Sequence, residues 1–401
     1  MGVINNMNEI LTKALALKDE IIENRRYLHK NAELGLNLPK TSLYIREKLE
    51  NMGYNVKIVG NSGLCVTVGK PGSKAILLRA DMDALPLNEE SGLEFSSNTG
   101  VAHCCGHDMH SAMLLGVSKI LKDVEPDLKG LVKLIFQPGE EIGLGAQEML
   151  DNGILESPSV DAVFAMHVNA KAPAGRIDYG KGCTFSSNDN VNIVINGQGG
   201  HGARPHESID PIKVALHIYE ALQTIRTSEI NPMETMILTI TSINGGNSYN
   251  SIPSSVTMTG TLRAYDENIR KITVKRIKEI SESIAKAYNA TAEVNFLQSL
   301  PPLYCSEDFT NEMLGYASEI VGLENISTTP EIKIGSEDFA LITEKFPNTS
   351  GYFFLGAGPD SNTGYQYGQH NPKVVFNEEV MPLGVSVMAN CAIKWLENNC
   401  E

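Results

Sequence analysis

"GLVKLIFQPGEE", residues 130–141, is a run of β-forming apolar residues interrupted by one lysine, closed by Pro-Gly and ended on two carboxylates. A short apolar run bounded by turn residues reads as a strand buried on both faces. "GLCVTVG" (63–69), "KAILLRADMD" (74–83) and "DAVFAMHV" (161–168) have the same character, while "SAMLLGVSKILKDV" (111–124) has a helical period. Strands alternating with helices imply an α/β domain with a mostly parallel sheet.

The pattern changes near Asn188. "NDNVNIVINGQG" predicts a strand, "DPIKVALHIYEALQTI" a helix, "METMILTITSING" and "SSVTMTGTLRAYD" two strands, "IRKITVKRIKEISESIAKAYNA" a helix and "TAEVNFL" a last strand. This βαββαβ order is that of the ferredoxin-like α+β module. After Pro301 the first character returns, with "SGYFFLGAG" as a strand and "VSVMANCAIKWLE" as a helix. The expected organisation is a larger domain over 1–187 and 299–401 with a smaller one, 188–298, inserted into it. A chain of 401 residues exceeds the usual size of one hydrophobic core, which agrees with two domains.

Composition removes several classes of function. A formal net charge of -15 without any Lys/Arg block argues against a nucleic-acid partner. No apolar run approaches the roughly 18 residues of a membrane span, so no membrane partner is expected. The N-terminal "MGVINNMNEILTKALALKDEIIENRRYLH" has neither the apolar core of a secretory signal nor the acid-poor character of a transit peptide, and reads as an ordinary first helix. Seven cysteines without framework spacing fit reduced thiols in the cytoplasm.

The chemistry concentrates in "VAHCCGHDMH" (101–110), where three of the chain's nine histidines stand beside two cysteines and an aspartate. Cys105 and His107 precede a helix expected to begin near Ser111. "QPGEE" contributes Glu140 and Glu141 at a strand end, "AMHV" puts His167 at the end of the next strand, and "GQHNP" supplies His370. Each has a plain structural reading taken singly: a buried thiol, a satisfied histidine, a solvated acidic turn. Together they bring ligand types to one edge of a parallel sheet, where α/β proteins place their sites. One thiolate, three imidazoles and one carboxylate exceed a single tetrahedral ion and suit two divalent cations that share a ligand. Adjacent side chains of an extended segment point to opposite sides, so Glu141 is expected to coordinate while Glu140 faces the water between the metals. Such a carboxylate takes the water's proton and passes it to a leaving nitrogen, which is amide hydrolysis. Asp81 and Asp83, in "RADMDALP", either hold a ligand histidine in one orientation or cap the loop.

Further along, "GQGGHGARPH" is glycine-rich but lacks the lysine and following helix of a phosphate loop, and brings His201 toward substrate or another chain. Asn250 and Arg263 bound "NSIPSSVTMTGTLR"; Arg263 is either a bidentate clamp for a substrate carboxylate or an ordinary surface arginine. Two other chemistries compete: a cysteine-nucleophile hydrolase pairing Cys105 with His107 or His110, and a non-catalytic protein stabilised by zinc.

With "RRYLHKNAELG", "RADMDALP", "CGHDMHSAMLLG", "FQPGEE", "GGHGARPHESIDPI", "NSIPSSVTMTGTLR", "GSEDFA" and "QHNPKVVFNEEVMPLG" in that order, the chain resembles a family of metal-dependent amidohydrolases. The family includes hippurate hydrolase, N-acyl-amino-acid amidohydrolases, N-acetyldiaminopimelate deacetylase and the plant auxin-conjugate hydrolases. The resemblance implies a zinc-peptidase-type catalytic domain with Cys105, His107, Glu141, His167 and His370 around two divalent ions (Zn, Mn, Ni or Co) and Glu140 as base. It implies that the insertion is a lid and dimerisation domain of a homodimer or homotetramer, with His201 stabilising an oxyanion in the partner subunit. The implied substrates are N-acyl-amino acids, with dipeptides or N-acetyldiaminopimelate as alternatives. The chain departs from the family pattern at Ala32, where proline is usual, at "LNLPKT", which lacks a glutamate before the threonine, at the doubled Cys104, and at Gly368-Gln369, where many relatives carry an apolar residue before the histidine.

Overall fold

The computed structural model describes residues 2–71, 74–358 and 367–400, with side chains from residue 9 onward. The chain divides into two compact units, one formed by Met1–Thr184, Tyr304–Ile332 and Leu341–Glu401, the other by Phe185–Leu303 and Lys333–Ala340. Residues 333–340 come from the stretch assigned above to the larger domain. Within the second unit a bridge between Phe185 and Lys333 and a 2.6 Å hydrogen bond from Ser186 Oγ to the Ile334 carbonyl hold them.

The first unit is built on a seven-stranded sheet in the order Lys57–Val59, Gly63–Gly69, Leu131–Gln137, Ala75–Asp81, Ala162–Asn169, Ser350–Gly356, Ile177–Tyr179. The four strands from Leu131–Gln137 to Ser350–Gly356 run parallel, and both edges are antiparallel. Ala75–Asp81, Leu131–Gln137 and Ser350–Gly356 are buried along their whole length, in keeping with their mostly apolar character. The one lysine in this run, Lys133, is buried with its ammonium on the carbonyls of Ile154, Glu156 and Pro158, at 2.7, 3.1 and 2.5 Å. A buried cation is tolerated because three acceptors replace its hydration.

Two local readings change. Of the N-terminal stretch, Met1 lies outside the described residues; the remainder forms two helices, Gly2–Ala16 and Lys18–Lys30, which meet at Leu17. The helix expected near Ser111 begins at His107 and runs to Asp123, since Gly106 at φ 100 turns the chain into it. The polar residues His107, Asp108 and His110 therefore belong to its first turn and are buried rather than looped out. This helix and Met381–Asn399 pack together and against the central strands.

The second unit has an antiparallel sheet in the order Met236–Asn244, Ser255–Ala264, Asn188–Asn196, Thr291–Leu300. That is the ferredoxin-like arrangement, and alternating exposure along each strand shows one face in the core. Helices Pro211–Thr224 and Glu267–Ala287 cover that face. Both start on an aspartate, Asp210 or Asp266, whose carboxylate accepts a backbone N–H of the first turn, a cap that contributes about 1 kcal/mol. Among the described residues no helix is long and apolar enough to cross a membrane.

Candidate metal centre

The parallel strands of the first unit end on one edge, and candidate donors stand at three of these ends: Asp81 closes Ala75–Asp81, Glu140 and Glu141 follow Leu131–Gln137, and His167 stands near the end of Ala162–Asn169. Gly106 brings the Cys105–His107 segment against this edge. A Cβ on Gly106 would lie 2.4 Å from Val168 Cγ2, so glycine is required by close approach as well as by its φ.

Two of the three histidines expected as ligands are oriented by what their Nδ1 touches. His107 Nδ1 donates to the Asp83 carbonyl at 2.8 Å, and His167 Nδ1 to the Val168 carbonyl at 2.6 Å. A carbonyl only accepts, so in each neutral ring the lone pair is on Nε2. His107 Nε2 is sealed from solvent without a hydrogen-bond partner among the described residues. His167 Nε2 faces Cys105 Sγ at 3.4 Å. His370 sits at φ 66, a backbone position uncommon outside glycine, with its N–H on the Cys104 carbonyl at 2.9 Å and its Nε2 3.5 Å from Glu141 Oε2. Several groups of donors have their atoms within 4.8 Å of one another; two of them, Cys105–His107–His167 and Cys105–Glu141–His370, contain Cys105, while Asp81–His107–His110 and His107–Glu140–Glu141 overlap the first at His107.

Glu140 and Glu141 do not diverge as an extended segment would make them. Gly143 N–H bonds the Glu140 carbonyl at 2.8 Å, so the pair occupies a turn, and the two carboxylates lie 4.0 and 3.8 Å from His107 Nε2. The Asp83 carboxylate holds this turn by accepting the N–H groups of Glu140 and Glu141 at 3.0 and 3.1 Å. Asp83 thus does both things considered for it: its carbonyl orients His107 and its carboxylate caps the loop. Asp81 differs from expectation. The histidine its carboxylate grips is His110, at 2.5 Å, and it is also bonded by Arg79 at 2.6 Å. His110 Nε2 in turn accepts the Val168 N–H at 2.9 Å. With both ring nitrogens engaged, His110 is not a base for Cys105, which weakens the cysteine-nucleophile reading.

The electrostatics test whether the donor set fits cations. Burial, with Glu141 adding to it, holds the Cys105 thiol well above its ordinary range, and burial also raises Glu141. Burial lowers His167 with help from His110, which favours its neutral ring. Among the described residues His107 Nε2 and Glu141 Oε1 are buried without a hydrogen-bond partner. Burial opposes a charge on His107, but Asp81 and Cys105 overcome it and hold the ring well above its ordinary value, so in this arrangement a proton supplies the positive charge that the donor cluster calls for. Divalent cations would meet that need, and the residues fit them.

Other candidates lie elsewhere. His103, the third histidine of the opening cluster, belongs to none of the donor groups and is buried with neither ring nitrogen bonded among the described residues, and burial pushes it down to about 3. Behind the site Asp108 bonds Arg25 Nε and His29 Nδ1, both at 2.9 Å, and His29 Nε2 meets Glu89 at 3.0 Å. His201, Asn250 and Arg263 belong to the second unit. His201 and Asn250 are brought together: Ser251 pairs with His201, and the Asn250 carbonyl accepts the Gly202 N–H at 2.7 Å. Arg263 stands apart on the Ser255–Ala264 strand, half-buried, bonded to the Ser187 carbonyl at 3.4 Å. It is not the freely exposed arginine of the plainer reading. The contribution of His110 was missed from the sequence, although its i,i+3 spacing from His107 would have placed both on one helix face.

Comparison with known proteins agrees with this geometry. The chain is 38% identical over 391 residues to thermostable carboxypeptidase 2 of Saccharolobus solfataricus, covering 94% of this chain and 96% of the relative. It is 35% identical over 416 residues to IAA-amino acid hydrolase ILR1-like 2 of Arabidopsis thaliana, covering 100% and 92%. Among solved structures, the YXEP protein of Bacillus subtilis, described as a dinuclear metal binding peptidase from the M20 family, superposes with a TM-score of 0.80 at 31% identity, covering 95% of this chain and 99% of that one. The model of Peptidase family M20/M25/M40 matches residues 77–394, and the chain belongs to that family as a metal-dependent amidohydrolase.

Proposed function

We propose that the chain hydrolyses the amide bond of N-acyl-L-amino acids, with acetyl, benzoyl or aryl acyl groups, to a carboxylate and a free amino acid. The observation that carries this reading is the pair of donor sets sharing Cys105, with His107 Nε2 and Glu141 Oε1 buried without a hydrogen-bond partner among the described residues and the Glu140 carboxylate 4.0 Å from His107 Nε2. Cys105, His107, Glu141, His167 and His370 are the proposed ligands. When bound, two divalent cations supply Lewis acidity toward the amide carbonyl and the attacking water. Glu140, on the turn fixed by Asp83, takes a proton from that water and delivers it to the leaving nitrogen. Which of zinc, manganese, nickel or cobalt serves is set by supply as much as by this mixed ligand set.

An apolar rim supports an apolar acyl group. Leu34, Ile142 and Leu144 stand 41%, 37% and 47% exposed, and Ile142 directly follows Glu141. The Cβ position of Gly35 lies 3.4 Å from Ile142 Cδ1, so Leu34 and the carboxylate turn are neighbours. His201 is proposed as the oxyanion donor: its Nδ1 accepts the Ala203 N–H at 3.1 Å, which leaves the proton of the neutral ring on Nε2. Asn250 and Arg263 are the proposed contacts for the substrate's carboxylate, and the insertion, 188–298, serves as lid and dimerisation domain of a cytoplasmic homodimer or homotetramer. The carboxypeptidase relative favours a second reading, a dipeptidase of the same mechanism.

Glu140→Gln tests the reading. Metal content is expected near wild type with turnover lowered by about two or more orders of magnitude, the size of losing a general base. Undiminished turnover would remove Glu140 from that role. Hydrolysis of acetyl-, benzoyl- and indoleacetyl-amino acids against dipeptides, with each metal supplied in turn, decides between the two substrate classes.

A further inference from the structure

We infer that Gln369, acting with His110, is a positioning residue of the metal centre, which fixes the backbone of Val168 and through it the His167 ring and the loop that carries His370. This rests on the metal centre proposed above.

Val168 is the point where three side chains, His167, Gln369 and His110, meet. Its carbonyl accepts two hydrogen bonds, from His167 Nδ1 at 2.6 Å and from Gln369 Nε2 at 2.8 Å. Its N–H donates to His110 Nε2 at 2.9 Å. His110 is itself held by Asp81 at 2.5 Å, Asp81 by Arg79 at 2.6 Å, and Arg79 donates from Nε to Gln137 Oε1 at 3.1 Å. His110, Asp81, Arg79 and Gln137 are all buried.

A histidine whose Nδ1 is bonded to the carbonyl of the next residue turns with that carbonyl. Val168 is held from outside at both of its backbone polar groups, its N–H by His110 on the helix side and its carbonyl by Gln369 on the loop side. Because Gln369 precedes His370, the same hydrogen bond ties a member of the Cys105–His107–His167 set to a member of the Cys105–Glu141–His370 set. An apolar residue at 369 would leave the carbonyl to His167 alone and free the strained His370 turn, at φ 66, to drift from the strand end. The amide at this position, a departure from the family pattern, sets the separation of the two halves of the centre.

The experiment uses the full-length apo protein and Q369M, which keeps the side chain's bulk and removes its donor. Co²⁺ is titrated in competition with a chromophoric chelator, and the thiolate-to-cobalt absorption is recorded. Wild type is expected to take two ions. Q369M should bind at least one of them about 10- to 100-fold more weakly, the usual effect of removing a hydrogen bond behind a ligand, with a shifted absorption band and an apo unfolding midpoint close to wild type. H110N should weaken the same ion; if it fails to fold, Q369M still decides. Equal affinities and identical spectra for wild type and Q369M overturn the inference alone. A wild-type protein that takes up no divalent metal overturns it together with the proposed function.

Discussion

Gly106→Ala puts a methyl carbon 2.4 Å from Val168 Cγ2, in a residue whose φ is +100. Two costs add. A non-glycine residue in this backbone region loses about 1–3 kcal/mol. A carbon that belongs near 3.5–4.0 Å must move away by roughly 1 Å, and such overpacking costs about 1–3 kcal/mol more. Gly92→Ala isolates the first cost, because Gly92 has φ +76 and nothing within 4 Å of its Cβ position. Urea unfolding of the apo proteins should therefore show Gly106→Ala less stable than Gly92→Ala by about 1–3 kcal/mol. The displaced atom belongs to Val168, which orients His167, so Gly106→Ala should also weaken metal binding while Gly92→Ala does not. Equal stability of the two variants, with wild-type metal affinity in both, would refute the claim that close packing of Gly106 on Val168 shapes the centre.

Chemistry elsewhere in the first unit is also open to measurement. Burial opposes a charge on His29, but Asp108 and Glu89 overcome it and push the ring up to about 9. A raised value stabilises the fold fully below the unfolded value near 6.5 and loses that contribution as pH rises through about 9, an upper bound of about 3 kcal/mol. His29→Gln should hence cost most at about pH 6 and least at about pH 9.5 in urea unfolding of the apo protein; a gap independent of pH would count against the ion pair. Replacing Ile142 and Leu144 together with serine should raise KM for benzoyl substrates about tenfold while acetyl substrates change little, the value of one apolar contact. Equal effects on both acyl groups would remove the rim from substrate selection.

The strands were legible because they are buried on both faces and announce themselves by composition alone: Ala75–Asp81 and Leu131–Gln137 contain almost nothing polar except the residues that carry chemistry. Glu141 and His167 were legible as donor types at strand ends and Cys105, His107 and His370 as donor types in loops, and the structure brings them together. What escaped was set by partners distant in the chain. Glu140 and Glu141 look extended until the Asp83 carboxylate, 57 and 58 positions away, folds their N–H groups into a turn. The helix start at His107 was hidden because buried polar residues resemble a loop when their partners, Arg25 and Asp81, are unseen. His103, His107 and His110 are one residue type within eight positions, and only the tertiary structure separates an unbonded ring, a candidate ligand and a support.

The strand order has a consequence for biosynthesis. Ser350–Gly356 is inserted between Ala162–Asn169 and Ile177–Tyr179, yet the ribosome makes it about 180 positions after Asn169, a delay on the order of 10–40 s at ordinary elongation rates. The second unit, nearly contiguous from Phe185 to Leu303, emerges whole within that interval. Throughout it the strand bearing His167 has an open apolar edge, and His370 has not yet been made. On the proposed ligand assignment, capture of both cations would follow synthesis of His370, and nascent chains stalled before residue 350 should be clients for chaperones rather than partial enzymes.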